Sequence, residues 1–346
     1  MRVLFLHHQQ RRPYTCEPGY NELYRPLMAS GLMEACGEVV YQTRLRALIE
    51  TCRQESGHKQ VDFPVYCEAN RRFADEFLAA VDQARPALIV YSATWPNESI
   101  HPALFVQAKR RFPGVKLFSQ LWDYDEDSPT FLWYERELIA CSDLVSIPDS
   151  YYRAQRLRER RAPYGNFTNT GVVHWLPTLP DPAVFRPRDD VEPEVAVSVL
   201  GSSEGCRAAL IAGLARRYGQ GFRHVGGYQP GDATVSFEDY AAAIHRARIV
   251  VNSQTVAHRV QVKGRVREVL ACRGFLIDQA NAETLRYFRG SGVTLFTDFD
   301  DLASAIDRHL ACDEERRTAS AYSHDWYRRK HSSVDYARTI MRLTGV

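Results

Sequence analysis

Residues 263–277 read KGRVREVLACRGFLI, and this pattern sets the fold class. A charged start leads into one short helix, a glycine stop and a buried strand. Arg265 and Glu268 lie one helical turn apart and share a face. Val266, Val269 and Leu270 form the opposite, apolar face. Gly274 ends the helix, and Phe275, Leu276 and Ile277 run into a sheet. A cation and a carboxylate therefore stand together where a strand–loop–helix unit opens, the end of an α/β sheet at which nucleotides are held. The cation suits a diphosphate, and the carboxylate suits a pair of ribose hydroxyls.

Outward from this stretch, apolar strands alternate with helices twice over. In the first half, 3–6, 38–41, 87–92, 116–121, 144–147 and 172–176 read as buried strands, with helices at 23–35, 73–84, 102–112 and 131–140. In the second half the strands are 195–200, 222–225, 249–252, 275–278 and 293–296, and the helices 207–217, 237–246, 265–272, 282–289 and 301–311. Such alternation predicts parallel sheets covered by helices on both faces. The fold expected is α/β, with two doubly wound Rossmann-like domains. The segment 177–193, PTLPDPAVFRPRDDVEP, is dominated by proline and charge and reads as a coreless linker. The organisation expected is an N-terminal domain over 1–180, a linker over 181–193, a C-terminal domain over 194–320 and a helical tail over 321–346. The cleft between the domains is the expected active site.

At 346 residues, 45% hydrophobic and 25% charged, the chain has the length of two globular domains. It has no apolar run of eighteen residues, and its first strand begins without a signal peptide's basic start, so a cytoplasmic location is expected. The net charge of +2 does not call for nucleic acid. One dense basic helix, from Arg153 to Arg161 (RAQRLRERR), is either a solvated face or a surface for anionic headgroups at the inner face of a membrane. It lacks the interleaved aromatics of a nucleic-acid surface. The eight cysteines form no CxxC pair, so reduced thiols are expected rather than disulfides or a zinc site.

Several strand ends carry candidate ligand groups. Gly201, Ser202 and Ser203 follow a strand and precede the helix containing Arg207. The glycine permits close approach of backbone to a ligand, and the helix N-terminus favours an anion. The alternative is an ordinary turn with a serine cap. Lys263, Arg265 and Arg267 crowd three cations around Glu268, with Gly264 between them and Asn252 closing the preceding strand. Gly226, Gly227 and Tyr228 follow another strand and either border a base or make a glycine turn. Neither a GxGxxG after a strand nor a GxxxxGK[ST] loop occurs, which argues against a nicotinamide, flavin or P-loop site.

In the first half, Asp123-Tyr124-Asp125-Glu126-Asp127 follows a strand. A DxD motif there either holds a divalent cation or is an acidic cap for the next helix. The second alternative is favoured, and no metal is expected. Asp123 then faces the cleft as a group for an acceptor hydroxyl. The long loop 7–20, HHQQRRPYTCEPGY, brings His7, His8, Gly19 and Tyr20 to the same end of the sheet.

The segment from Arg265 to Ile277 resembles the "RvfEaLAcGgfll" signature of GT-B glycosyltransferases of the family 1/4-like group that includes CgeB-like proteins. Pro180-Asp181-Pro182 through Phe185 and Pro187 resembles that family's interdomain segment. The stretch 243–252 resembles its "y..s.i.lN" segment, and Leu121-Trp122-Asp123 its "lW..D" loop. The tail 322–337 resembles the closing helix that crosses back to the first domain. The resemblance implies a nucleotide-sugar donor on the second domain and a glycan, lipid or small-molecule acceptor on the first, with no cofactor. It implies that Glu268 binds the donor ribose and Arg265 the diphosphate. The related E-x7-E motif would put another acid at position 260, where Val260 stands, and Arg267 and Arg273 replace the usual aromatic and glycine.

The expected reaction is glycosyl transfer from a nucleoside diphosphate sugar to a hydroxyl. Arg265, Lys263 and the amides of 201–203 would stabilise the departing diphosphate. Retention is common in the resembling families; inversion would need a general base, for which Asp123 and His7 are candidates. The rival readings are a non-catalytic nucleotide-sugar or glycan-binding protein and a UDP-sugar epimerase on the same scaffold.

Overall fold

The computed structural model describes residues 1–7, 20–57, 62–93, 98–122, 129–159, 172–226, 235–255 and 260–346. The chain divides into two compact units. One comprises Met1–Gln10, Leu27–Pro177 and Ser333–Val346; the other comprises Arg11–Pro26 and Thr178–Ser332.

Unit 1 is built on β1 (Arg2–His7), β2 (Glu34–Val40), β3 (Leu88–Ala93), β4 (Lys116–Leu121), β5 (Leu144–Ser146) and β6 (Val172–His174). Its helices are α1 (Arg25–Ala29, which begins at the unit boundary), α2 (Tyr41–Ser56), α3 (Phe63–Ala84), α4 (Pro102–Arg111), α5 (Pro129–Cys141) and α6 (Tyr151–Glu159). Unit 2 contains β7 (Val195–Leu200), α7 (Cys206–Tyr218), β8 (Phe222–Val225), α8 (Phe237–His245), β9 (Ala247–Asn252) and α9 (Gly264–Ala271). It continues with β10 (Leu276–Gln279), α10 (Ala282–Tyr287), β11 (Thr294–Phe296), α11 (Phe299–Ala311) and α12 (Asp313–Lys330). The last helix, α13 (Ser333–Thr344), returns to unit 1 and packs on β4 and β5.

Both sheets are parallel throughout, in the orders β2-β1-β3-β4-β5-β6 and β11-β10-β9-β7-β8. The expected α/β class with two doubly wound Rossmann-like sheets is what the chain forms. In each sheet the chain leaves its first strand in one direction and later returns to that strand's other side. The switch points fall between β1 and β3 in unit 1 and between β7 and β9 in unit 2, and crevices for ligands open at the C-terminal ends of such strand pairs. In unit 2, Val197, Val199, Ile249, Val251 and Ile277 make one apolar layer under α7 and α11. Gly213 of α7 allows this approach, because a Cβ there would stand 2.6 Å from the Phe299 ring.

Four expectations about the fold need correction. The helix expected over 23–35 is a π-helical turn at Tyr20–Tyr24 and the short α1, and residues from Glu34 already belong to β2. Tyr41 begins α2 rather than ending a strand. Its buried Tyr41, Leu45, Ile49 and Cys52 follow helical spacing, but Val40 supplies no side-chain cap to mark the start. Helix α3 starts at Phe63, ten residues before the expected 73, because Asp62 caps it by accepting from the Val65 N–H and proline occupies its first turn. The segment 177–193 is also not coreless. Thr178, Leu179, Asp181 and Phe185 are buried, Phe185 meets the Phe237 ring edge-on at 5.7 Å, and Asp181 accepts from Arg25 Nε at 2.9 Å.

Replacing Asp62 by Ala is expected to cost about 1 kcal/mol of unfolding free energy, the usual worth of an N-cap. A urea denaturation midpoint unchanged from that of the parent protein would contradict this.

Candidate functional site

The switch point of unit 2 is held by one side chain. Gly201 closes β7 with φ +93°, a conformation suited to glycine, and a Cβ placed on it would lie 2.0 Å from Nη2 of Arg265. The Arg265 guanidinium therefore packs directly against the glycine backbone. From there its Nη1 donates to Asn252 Oδ1 at 3.1 Å, at the end of β9. The Asn252 Nδ2 in turn donates to Asp278 Oδ1 at 2.6 Å, at the end of β10, and the Gln279 N–H donates to the same oxygen at 2.9 Å. Gly226, also at positive φ, lies against Gly201, whose N–H donates to the Val225 carbonyl at 2.8 Å. One arginine thus ties together the adjacent strand ends of this sheet.

A second arginine lies beneath it. Arg207 is buried; its Nη1 donates to the Ser202 carbonyl at 3.2 Å and its Nη2 to the Ser253 carbonyl. Burial, and then the neighbouring Arg265 cation, lower its pKa from 12.5 to about 9. Asp278 is pushed the other way, from 3.8 to about 7, by burial, which outweighs its bonds to Asn252 and Gln279 and the two arginines. Nε of Arg207, Nε of Arg265, Oγ of Ser253 and Oδ2 of Asp278 are all buried without a protein partner. Unpaired buried polar atoms are uncommon and expensive, and their concentration marks this spot as one shaped for more than packing.

One turn beyond Arg265, Glu268 is buried. Desolvation first, and then the Glu22 carboxylate, hold its carboxyl well above the usual range, against the opposing pull of Arg265, a hydrogen bond from Tyr240 and Arg267. Glu22 comes from the N-terminal segment that belongs to unit 2. Its carboxylate covers Gly264, where a Cβ would stand 2.8 Å from Oε1, so an anion sits at the positive end of α9. Thr178 Oγ1 donates to Glu22 and accepts from Arg267 Nη2 at 2.8 Å. Lys263 is the N-cap position of α9 and gives no side-chain cap.

The structure revises several expected roles. Helix α9 leaves no face in solvent along 266–271: every residue from Val266 to Ala271 is buried, Arg267 and Glu268 included. Arg267 does act on Glu268 with Arg265, but its 1% exposed side chain is buried and also engages Thr178 and Glu22. Arg207, the second residue of α7, is buried and pins the loops after β7 and β9. At the start of α7 the Cys206 N–H donates to the Thr255 carbonyl at 3.0 Å, so that amide is committed within the protein. Gly201, Ser202 and Ser203 do follow β7, with Ser202 buried and Ser203 partly exposed. The basic run beginning at Arg153 is not a uniform cationic face. Arg153 is buried in an ion pair with Glu135 at 3.0 Å, and Arg158 donates to the Val173 carbonyl. Val260 is exposed and puts no acid near the site.

Asp123, His8, Gly19, Gly227 and Tyr228 lie outside the described residues. Only the backbone of His7 and Tyr20 is described: His7 ends β1 at the unit 1 switch point, and Tyr20 begins the π-helical turn. Trp122, just before Asp123, donates from its indole N–H to Ser92 Oγ at 3.0 Å. Among the described residues there is no cluster of three metal-ligating side chains and no helix long and apolar enough to cross a membrane. The seven cysteines among them are unbridged. Asp278, Glu22 and Tyr240 are the site groups that sequence reasoning missed. Only Asp278 left a signal, as an acid ending the apolar run FLI.

Residues 203–342 match the glycosyl transferase-like family model. The whole chain superposes on several solved structures at low sequence identity. The chain has the GT-B fold. Alr3699/HepE of Anabaena, solved with UDP, is 14% identical with a TM-score of 0.56, covering 99% of each chain. OtsA is 11% identical at 0.64, covering 100% of this chain and 99% of its own. A UDP-N-acetylglucosamine 2-epimerase is 10% identical at 0.53, covering 99% and 94%. A search of curated protein sequences finds no match. The GT-B resemblance noted in the sequence holds for the fold of the whole chain, and the matched domain begins two residues after Gly201.

Between about pH 4 and about pH 7 the unfolded chain has Asp278 ionised while the folded chain keeps its proton, so stability falls as pH rises through this window. Raised Glu268 adds to the fall. Asp278→Asn is expected to flatten the slope, measured by urea unfolding at pH 5 and pH 7.5. An unchanged slope would mean that Asp278 ionises normally in the folded state.

Proposed function

We propose that this protein is a glycosyltransferase that takes a glycosyl group from a nucleoside diphosphate sugar and passes it to a hydroxyl acceptor on a glycan, lipid or small molecule. The observation that carries the proposal is the Arg265 guanidinium seated on Gly201 at the switch point of a glycosyl transferase-like domain. In the reaction the bond from the anomeric carbon to the diphosphate oxygen breaks. A bond from that carbon to the acceptor oxygen forms, and the acceptor proton leaves. Negative charge builds on the departing diphosphate. Arg265, with Lys263 and the backbone amides near Gly201, would meet that charge. Fixed donors in a site shielded from water need no reorganisation as the charge forms, and losing one typically costs about 3 kcal/mol of barrier.

Arg207 and Arg265 repel one another, and a bound dianion would relieve that repulsion. The two arginines supply this charge compensation without a divalent ion, so we assign a metal-independent reaction. Glu268 would accept from ribose hydroxyls rather than move the acceptor proton. Related folds support the donor class: Alr3699/HepE has been solved with UDP-glucose. A trehalose-6-phosphate synthase at TM-score 0.61 and 10% identity has been studied for glycosyl transfer with retention, which favours retention here. Asp123 and His7 would then serve acceptor positioning in unit 1 rather than general-base work.

Val260, standing where an acid would contact the donor sugar, favours a second reading as a nucleotide-sugar-binding protein without transfer. Binding of a nucleotide sugar with no release of nucleoside diphosphate, across a panel of acceptors, would establish that alternative. Interconversion of the free sugar nucleotide without an acceptor would establish an epimerase.

Arg265→Ala and Glu268→Ala are each expected to lower turnover by at least about tenfold with the fold intact by circular dichroism. Gly201→Ala should have a similar effect, because its methyl displaces the Arg265 guanidinium without removing it. Parental turnover and donor affinity in all three would contradict the site assignment.

A further inference from the structure

A cavity of about 320 Å³ opens at the opposite edge of the unit 2 sheet, beside the first residues of β9 and β10. Its floor is apolar, formed by Ile244, Ala247, Cys272 and Phe275. Its walls carry Arg188, Arg248, Arg273, Arg316, Arg317 and His245, against the carboxylates of Asp189 and Glu192. Five arginines therefore stand around one concavity, against the carboxylates of Asp189 and Glu192 in its lining and of Asp190 and Asp313 beside it.

The internal pairing does not use this charge up. Arg188 pairs with Asp190, Arg273 with Asp189 and the buried Arg316 with Asp313 at 2.5 Å. Arg248 and Arg317 make no hydrogen bond or ion pair with a described residue; both lie close enough to Asp313 to help lower its carboxyl. Nε2 of His245 is buried without a partner. Arg273 has φ +60°, the left-handed conformation that glycine takes at low cost and arginine does not. Its carbonyl is fixed by the Ser320 hydroxyl. This arginine takes the left-handed stop position two residues after α9, with its N–H on the Leu270 carbonyl and the Gly274 N–H on the Val269 carbonyl, and it lines the cavity.

We propose that this cavity is a second anion site on unit 2, for a small soluble phosphate ester or diphosphate. Guanidinium groups suit phosphate oxygens because they present paired N–H donors. The volume lies at the lower end for small-molecule sites, and the apolar floor gives a carbon skeleton a surface to rest on. The cavity and the Arg265 site stand at opposite ends of the strands, so the proposal does not rest on the assigned reaction.

Thermal melting of the full chain in inorganic pyrophosphate, at constant ionic strength, tests it. Because the Arg265 site would also take pyrophosphate, the titration is run in Arg265→Ala. The ligand is expected to raise the melting temperature of that variant. Adding Arg248→Ala and Arg317→Ala should weaken the apparent affinity by at least about fivefold. Arg273→Gly should weaken it too while leaving the unliganded protein at least as stable, because glycine relieves the strain. No stabilisation of Arg265→Ala, or an affinity indifferent to all three cavity substitutions, would overturn the proposal. Co-sedimentation with phosphatidylglycerol vesicles that Arg248→Ala and Arg317→Ala abolish would also overturn it, by assigning the phosphate to a lipid headgroup.

Discussion

The structure of unit 2 turns on two like charges held close together, Arg207 buried and Arg265 half-buried. Arg207 is pinned by the carbonyls of Ser202 and Ser253, and Arg265 is seated on Gly201 and tied to Asn252. Their mutual effect is large enough to contribute to the lowered Arg207 pKa. Like charges held this close, one of them buried, raise the energy of the folded state unless something opposes them. Asp278 opposes them only in part, because burial favours its protonated form. The rest of the unit is arranged to keep this unfavourable grouping in place. Parallel strands deliver Gly201, Asn252 and Asp278 to one edge, and α9 delivers Arg265 to all of them.

A second buried grouping braces the first. Glu22 reaches α9 from the N-terminal segment, covers Gly264 and, with Glu268, makes a carboxyl pair that cannot comfortably carry two charges. Arg267, Thr178 and Tyr240 surround that pair with donors. Farther along, Tyr287 bonds to His331 at 2.8 Å, and burial and Arg267 depress the His331 imidazole to about 3. The interior around α9 is therefore polar and connected. That explains why a helix with so many charged residues is buried on all sides, where an amphipathic pattern would have left one face in water.

Much of the fold was legible because parallel sheets bury both faces of their strands and so leave continuous apolar runs. VAVSVL over β7 and FRHV over β8 have the boundaries their sequences announce. Helix α2 was not legible: it follows β2 directly with no capping residue, and local cues carry little where one element passes straight into the next. At the site, Arg265, Glu268, Gly201 and Asn252 were readable from their places at strand and helix ends. Glu22 was not, because it lies more than two hundred residues from α9 in sequence and no periodic pattern links the two. Arg153 was misread as part of a solvated or lipid-facing run. A run of arginines looks solvated until a buried partner such as Glu135 is located.

The account stands on the Arg265 guanidinium as the group that receives a diphosphate. The most direct test is a crystal structure of the protein with a bound nucleoside diphosphate, beginning with UDP. Phosphate oxygens within hydrogen-bonding distance of Arg265, at the ends of β7 and β9, are the predicted result. A diphosphate bound elsewhere, with Arg265 still engaged only by Asn252 and Gly201, would contradict it.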